Sequence, residues 1–357
     1  MLHYRIIALL GVAGVALAAP FAAAQKDHSP VTADDLAAIL RQKAIQAVAG
    51  RDIPAGYWLM DGDMQMPLSF NPLADGFYLT NLWPGGVVPF TFAAGFSSAD
   101  INNIIGAMFV WQGLANVTFI GRSTQADWVL IQLSTGNNSA VGRTGGQQVI
   151  NFATNQATSV YVHELGHCLG FLHEHQRGDR PLDIFPCNVA NVVCSNGVPT
   201  STGNPYDANF PIIPSGTHWA SYDFASIMHY PRCAFSPVCP SQPCNCTTAQ
   251  ETMHVQQPFT AQWNSVIGTA SGPSYLDGIT MRGLYPNASD RWNDFVSGGS
   301  PNGSFQNPWG LNVAVAAAQT PAGGTLYLKS DTTYHAVGMY SNPVTIVSPA
   351  GIATLGN

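Results

Sequence analysis

The stretch HELGHCLGFLHEH, residues 163–175, holds four of the chain's ten histidines. His163 and His167 are four residues apart, so on a helix their side chains point the same way, one turn above the other. Two imidazoles so placed can hold one cation, and zinc accepts histidine nitrogen at about 2.0–2.1 Å. Glu164 lies about 100° around such a helix, beside the ion rather than on it. There a carboxylate can take a proton from a zinc-bound water. Gly170 turns a helix end cheaply through left-handed space, which lets His173 swing back as a third ligand. Three protein ligands leave an open position, as a catalytic zinc requires.

The competing readings are weaker. A bare H-E-x-x-H arises by accident in about one chain in a hundred, and a glycine and a histidine at fixed later positions reduce that at least another ~100-fold. His175 is not needed as a ligand. Cys168 follows His167 and faces away from the ion, so it reads as a small buried apolar residue.

The run His163-Glu164-x-x-His167-x-x-Gly170-x-x-His173 resembles the extended zinc signature of the metzincin metallopeptidases. Glu174 after the third histidine, and the continuation through Arg177, Asp179 and Arg180, resemble the astacin family. A second similarity stands in YDFASIMHY, residues 222–230. There the resemblance implies that Met228 forms the Met-turn beneath the zinc and that Tyr230 can approach the metal and stabilise the oxyanion. Echoes in LWPGGVVPFTF, VGRTGGQQVINF and LDGITMRGLY extend the likeness over about residues 74–290. Astacin propeptides carry an F-x-G-D stretch whose aspartate caps the zinc. In MDGDM, residues 60–64, Met60 replaces the aromatic, while Gly62 and Asp63 match. The resemblance makes Asp63 an inhibitory fourth ligand, and Gly62 would let the chain approach the cleft closely. Asn137 and Asn138 stand where the family usually has cysteine, so its disulfide pattern does not carry over. The run after Arg180, PLDIFPCNVANVVC, also departs from the family and implies a rebuilt loop.

These residues need a scaffold. TADDLAAILRQKAIQAVAG, residues 32–50, reads as a helix with a Thr32/Asp35 capping box. Residues 57–76 read as loop. GGVVPFTF reads as a strand, and Ser97 with Asp100 caps a helix whose face is Ile101, Ile104, Ile105, Met108 and Trp111 or Gln112. NVTFI, DWVLIQL and QQVINF read as further strands before the histidine helix. The alternation implies an α/β (α+β) metzincin fold. Its upper half holds a mixed twisted sheet and two long helices, its lower half is irregular, and the active-site cleft lies between. Residues from Cys187 to about Tyr275 are rich in Pro, Ser and Cys and should be largely irregular. The last segment, residues 291–357, alternates glycine turns with short β runs. It resembles the opening coils of parallel β-helix proteins but is shorter than the three repeats such solenoids need, and reads as a small appended β-rich segment.

Residues 1–24 have Arg5, an apolar run from Ile6 to Ala19 and an A-x-A site ending at Ala24, the pattern of a secretory signal. The run is short of the ~20 residues of a membrane span. The expected plan is therefore signal peptide 1–24, propeptide 25–73 removed near Ala74, catalytic domain 74–290 and the C-terminal segment. The product would be a secreted monomer in the extracellular space or the periplasm, without a membrane partner. Seven cysteines suit that compartment. Six lie in loop-like sequence, and a Cys187–Cys194 pairing would close a short loop. A second zinc site among Cys233, Cys239, Cys244 and Cys246 is the competing reading, but their spacing lacks paired C-x-x-C. Charged residues make up only 9%, with a net charge of -7, which excludes a nucleic-acid partner.

The expected function is zinc-dependent endopeptidase action on a protein or peptide substrate, through a zinc-bound water activated by Glu164. The substrate would lie along an edge strand near QQVINF. The alternatives are a catalytically silent adhesin on the same scaffold and a carbohydrate-active C-terminal segment. The first sits poorly with an intact Glu164 and Tyr230, and the second with a segment too short for a groove.

Overall fold

The computed structural model describes residues 53–60, 62–67, 81–200, 209–210, 212–213, 220–239, 246–294, 301–329, 333–351 and 353–356. The signal peptide, the helix expected at 32–50 and the cleavage site near Ala74 lie outside them. The described residues form a larger unit, residues 53–213 and 222–285, and a smaller one holding residues 286–356 together with Ala220 and Ser221.

In the larger unit, seven strands make one mixed sheet: β1 (Tyr57–Met60), β2 (Met64–Pro67), β3 (Val87–Phe92), β4 (Thr118–Gly121), β5 (Trp128–Leu133), β6 (Asn138–Ala140) and β7 (Gln147–Phe152). Their order is β1-β2-β6-β7-β5-β3-β4. The pairs β3–β4, β3–β5, β5–β7 and β2–β6 are parallel, while β6–β7 and β1–β2 are antiparallel. A parallel pair needs a crossover, and helix α1 (Ser98–Leu114) supplies the one between β3 and β4. Ser97 caps it by accepting from the Asp100 amide.

Ile104, Ala107, Met108 and Trp111 of α1 pack with Tyr161, Val162, Leu165 and Cys168 of helix α2 (Thr158–Cys168), over Val88, Val129, Ile131, Ile150 and Phe152 of the sheet. Fully burying one such side chain contributes about 1.5–3 kcal/mol, so this layer holds α2 in place. Two indoles fix its position by direction as well. Trp111 Nε1 donates to the Val162 carbonyl at 2.9 Å, and Trp83 Nε1 to the Cys168 carbonyl at 2.9 Å. Helix α3 (Tyr275–Leu284) adds Met281 and Leu284 to the same core, and Tyr285 beyond its end donates its hydroxyl to the Leu169 carbonyl.

Two expectations are corrected here. The stretch from residue 57 begins not as a loop but as the β1–β2 hairpin, with Trp58, Met60, Met64 and Met66 buried against Val141, Leu172 and Ile213. Methionine has no strand preference to announce it, and β2 exists by pairing with β6. In turn β7 is not an edge strand, because β5 and β6 flank it. The strand next to the hairpin is β6, and β2 occupies its outer side, with the Ser139 amide donating to the Asp63 carbonyl at 2.8 Å.

Beyond Gly170 regular structure is sparse. Strand β8 (Leu182–Ile184) pairs antiparallel with β9 (Met253–Val255), and Leu182, Val189, Phe210, Phe224, Met253 and Val255 form a second core. Disulfides join Cys187 to Cys194 and Cys233 to Cys246, and Cys239 is also oxidised. Those sulfurs are therefore not thiolate ligands, which leaves the second zinc site without three of its four expected cysteines; Cys244 lies outside the described residues. Where the family usually has cysteine, Asn138 Oδ1 accepts from Asn151 Nδ2 and Gln65 Nε2, and Asn137 Oδ1 accepts from the Ala153 amide. Hydrogen bonds hold the chain at that position.

The smaller unit has its own core of Val313, Ala316, Ala317, Leu326, Leu328, Tyr334 and Ile346. Thr325–Leu328 pairs in parallel with Arg291–Asn293 and Thr345–Val347, and Thr333–His335 pairs in parallel with Thr354–Gly356. A helix, Val313–Gln319, departs from the expectation of short β runs. Asn312 caps it, and alanines carry it.

Candidate metal centre

Helix α2 sets His163 and His167 one turn apart, and the chain then reverses. Gly170 takes φ +113°, a value that suits glycine, and its amide donates to the His167 carbonyl at 2.8 Å. The reversal carries His173 back to the same point. The three Nε2 atoms stand 3.0 Å (His163–His167), 3.1 Å (His163–His173) and 3.2 Å (His167–His173) apart. His167 and His173 are buried and His163 is half-buried.

This geometry suits a cation. Nitrogens bound at about 2.0–2.1 Å in a tetrahedron stand ~3.3 Å from one another, close to what is found. The Nδ1 atoms of His163 and His167 lie 2.8 Å from the carbonyls of Ile227 and Phe171. Each Nδ1 must then carry the proton, which leaves the Nε2 lone pair facing the centre. Burial, reinforced by His173 and His163, pushes the His167 pKa well below the usual imidazole range. A neutral imidazole is the form that binds a metal.

Asp63 stands at the fourth side, in the turn between β1 and β2. Its Oδ2 is 3.3 Å from His173 Nε2 and 3.5 Å from His163 Nε2, and its Oδ1 is 3.9 Å from His167 Nε2. Asp63 and the three histidines offer one ligand atom each within 4.8 Å of one another. Burial opposes ionisation of Asp63, but His173, His163 and His167 outweigh it and hold the carboxyl well below its usual range. Gly62 makes the approach feasible. Its φ is +84°, and a Cβ there would lie 3.3 Å from the Phe235 ring.

Glu164, also on α2, is buried, and its Oε2 has no hydrogen-bond partner among the described residues. Burial and then the charge of Asp63 push its carboxyl well above the usual range. Tyr230 Oη donates to Asp63 Oδ2 at 3.2 Å. Met228 packs beneath α2 against Gly166, and its carbonyl accepts from the Glu174 amide at 3.0 Å. This turn is pinned by Asp277 at the start of α3, which accepts from Ser226 Oγ at 2.7 Å and from the Ile227 amide at 2.8 Å. The structure thus brings Asp63, His163, Glu164, His167, His173 and Tyr230 around one point, with Met228 below.

Other neighbours complete the surroundings of the centre. His175 is buried and stacks on the rings of Tyr230 and His173, with centroids 4.5 Å and 5.3 Å away. His229 accepts a 2.7 Å contact from Tyr222 Oη while its other nitrogen donates to the Tyr230 carbonyl. Burial pushes the His229 pKa down to about 3. Glu174 bonds Arg177 and the Asp223 amide, and burial pushes its carboxyl up to about 8. Cys168 lies in the core with its thiol pushed up to about 12 by burial. Of His175 and His229, only His229 was not singled out in the sequence, where its one signal was the rarity of histidine in this chain.

A histidine trio on a helix and its return, a neighbouring carboxylate and a Met-containing turn below define a metallopeptidase-like centre. The family model for the astacin peptidases matches residues 77–286, over half of the chain, and the chain belongs to that family. It is similar to the astacin-like metalloendopeptidase of Mus musculus, 29% identical over 253 residues, covering 65% of this chain and 54% of that one. It is also similar to the zinc metalloproteinase nas-6 of Caenorhabditis elegans, 33% identical over 220 residues, covering 61% and 57%. The chain thus spans about half the length of these relatives. Among solved structures, that of high choriolytic enzyme 1, a hatching enzyme zinc-protease from Oryzias latipes, matches at 25% identity and TM-score 0.46. The match covers 60% of this chain and 96% of that one.

Proposed function

We propose that the protein is a secreted zinc metalloendopeptidase made as a precursor, with signal peptide 1–24, propeptide 25–73 and catalytic domain 74–290. The observation that carries this reading is the convergence of three histidine Nε2 atoms within 3.2 Å, beside a buried glutamate that is not one of them. Family membership and the disulfides support it. Among the described residues no helix is long and apolar enough to cross a membrane.

His163, His167 and His173 hold the metal. A zinc ion bound there supplies a Lewis acid that polarises the scissile carbonyl and acidifies water. Glu164, raised in pKa and unpaired at Oε2, accepts the proton of the attacking water and returns it to the leaving amine. Tyr230 donates its hydroxyl to the developing oxyanion once Asp63 has left. Asp63 holds the fourth side until the propeptide departs. The same departure frees the outer edge of β6, where an extended peptide substrate pairs by backbone hydrogen bonds.

Activated enzyme should hydrolyse casein, and a chelator should abolish that hydrolysis, with restoration by added zinc. Casein left intact by metal-loaded, processed protein would reject the reading. Tyr230→Phe loses one hydrogen bond to a developing charge, worth about 1.5–3 kcal/mol, so kcat should fall about tenfold to a hundredfold. Because the bond strengthens in the transition state, KM should stay nearly constant. Equal kcat in mutant and wild type would remove Tyr230 from the mechanism.

A further inference from the structure

On the reading above, the Tyr230 hydroxyl must keep its place after Asp63 has gone. With the propeptide present, that hydroxyl is tied to Asp63 Oδ2 at 3.2 Å, and the tie goes when the propeptide leaves. The backbone is fixed independently, since His229 Nδ1 donates to the Tyr230 carbonyl at 2.7 Å. The side chain still turns about its own torsions, so the ring needs a support of its own. The rings that pack on it differ in what holds them. His173 lies 4.3 Å away between centroids with 46° between planes, and the metal site sets its direction. Phe235 lies 5.5 Å away at 52°, and its ring also packs beside Gly62 in the turn of the propeptide hairpin. His175 lies 4.5 Å away with only 22° between planes, a stacked contact that requires neither the metal nor the propeptide.

The surrounding chain holds His175 rigidly. It is fully buried. Its Nε2 lies 3.2 Å from the Asn209 carbonyl, and a carbonyl can only accept, so Nε2 carries the proton. The Phe210 ring meets it edge-on, with centroids 5.8 Å apart. The His175 carbonyl accepts from Arg180 Nη1 at 2.7 Å, and the same Nη1 donates to the Phe210 carbonyl at 3.1 Å. These anchors belong to the lower half of the larger unit and lie outside the ligand set. His175 also stacks on His173, but at the longer distance of 5.3 Å, so Tyr230 is the nearer ring. Tyr230 lines the cavity at the centre, whereas His175 is not among its lining residues. His175 therefore reaches the chemistry only through the tyrosine.

Resting on the peptidase reading and on the part it gives Tyr230, we propose that His175 is a positioning residue, a fixed plate against which the Tyr230 ring stacks so that its hydroxyl stays aimed at the developing oxyanion. The ring of His175 does this, and the polar contact to Asn209 serves to hold that ring. A donor placed before charge develops costs no reorganisation when the reaction occurs, which is what the stack supplies. The two functions of the side chain separate by substitution. Glutamine keeps a donor for the Asn209 carbonyl and removes the ring, while phenylalanine keeps the ring and removes the donor.

The test measures kcat and KM of the zinc-loaded, processed enzyme on one reporter peptide, in a cycle of His175 and Tyr230 variants. His175→Gln should lower kcat about threefold to tenfold, the worth of one aromatic pair. KM should change less than about twofold, because the hydroxyl acts in the transition state. His175→Phe should recover most of that loss. In a Tyr230→Phe background, His175→Gln should cost less than about twofold more, because the hydroxyl it positions is already gone. Effects of the two changes that simply multiply would overturn the proposal, as would a Gln variant more active than the Phe variant. Loss of zinc or of cooperative melting in His175→Gln would overturn it too, because His175 would then support the ligands or the core and not the tyrosine. Tyr230→Phe as active as wild type would overturn both this proposal and the role given to Tyr230. A slowed Tyr230→Phe with an independent His175 effect would overturn the positioning alone.

Discussion

Glu164→Ala is expected to lower kcat by about 10²–10⁴-fold, the range of a lost general acid–base, while zinc content and Tm stay at wild-type values. The separation of the two readouts is the point. Glu164 sits on the same helix as His163 and His167 but outside the set of atoms that converge. Its Oε2 has no hydrogen-bond partner among the described residues, so truncation orphans no neighbour. Removing a buried carboxyl whose ionisation is already opposed by burial should not destabilise the fold. Metal analysis and turnover on one preparation decide the matter. A variant that keeps both its zinc and its activity would reject Glu164 as the base, and one that loses zinc would make Glu164 a ligand.

Asp63→Ala in the unprocessed precursor is expected to raise activity by about a hundredfold or more, without any cleavage. Asp63 meets two imidazole nitrogens at 3.3 and 3.5 Å and the Tyr230 hydroxyl at 3.2 Å. Charge-assisted contacts of this kind contribute about 1.5–3 kcal/mol each, and every 1.4 kcal/mol is a factor of ten. The loss of Asp63 therefore opens the fourth side and releases Tyr230 together. The hairpin itself stays on β6 through Met64, Gln65 and the Ser139 amide, so the variant separates the carboxylate's block from that of the strand. Small reporter peptides that do not need the β6 edge should show the largest gain. A mutant precursor no more active than the wild type on such peptides would mean that Asp63 is not the block.

The parts of the centre that could be read in the chain are those whose geometry is local. A four-residue spacing on a helix aligns His163 and His167 whatever the helix packs against. A glycine three residues beyond is enough to turn His173 back, and the positive φ of Gly170 bears this out. The strands from Val87 to Phe152 except β6, and the cap at Ser97, were legible for the same reason, since hydrophobic period and capping are decided within a few residues, whereas the short polar β6 has no such period. Met228 and Tyr230 carry no such local signature, and only the resemblance to astacins pointed to them.

What the sequence alone determined is the histidine trio that converges, the neighbouring carboxylate and the kind of fold that presents them, because helix periodicity and turn chemistry link those residues through the covalent chain. Only the tertiary structure decided which strand borders the β1–β2 hairpin and that this hairpin forms at all, whereas the approach of Asp63 to the histidines across about a hundred residues of chain was expected from the resemblance alone and from no local spacing. The tertiary structure alone brought Ser159, Val160, Pro231, Gly268 and Ala270 into one cavity with His163, Glu164 and Tyr230. Strand partners and pocket walls are meetings of segments distant in sequence, and their choice depends on how the whole core packs. No spacing within one segment records it.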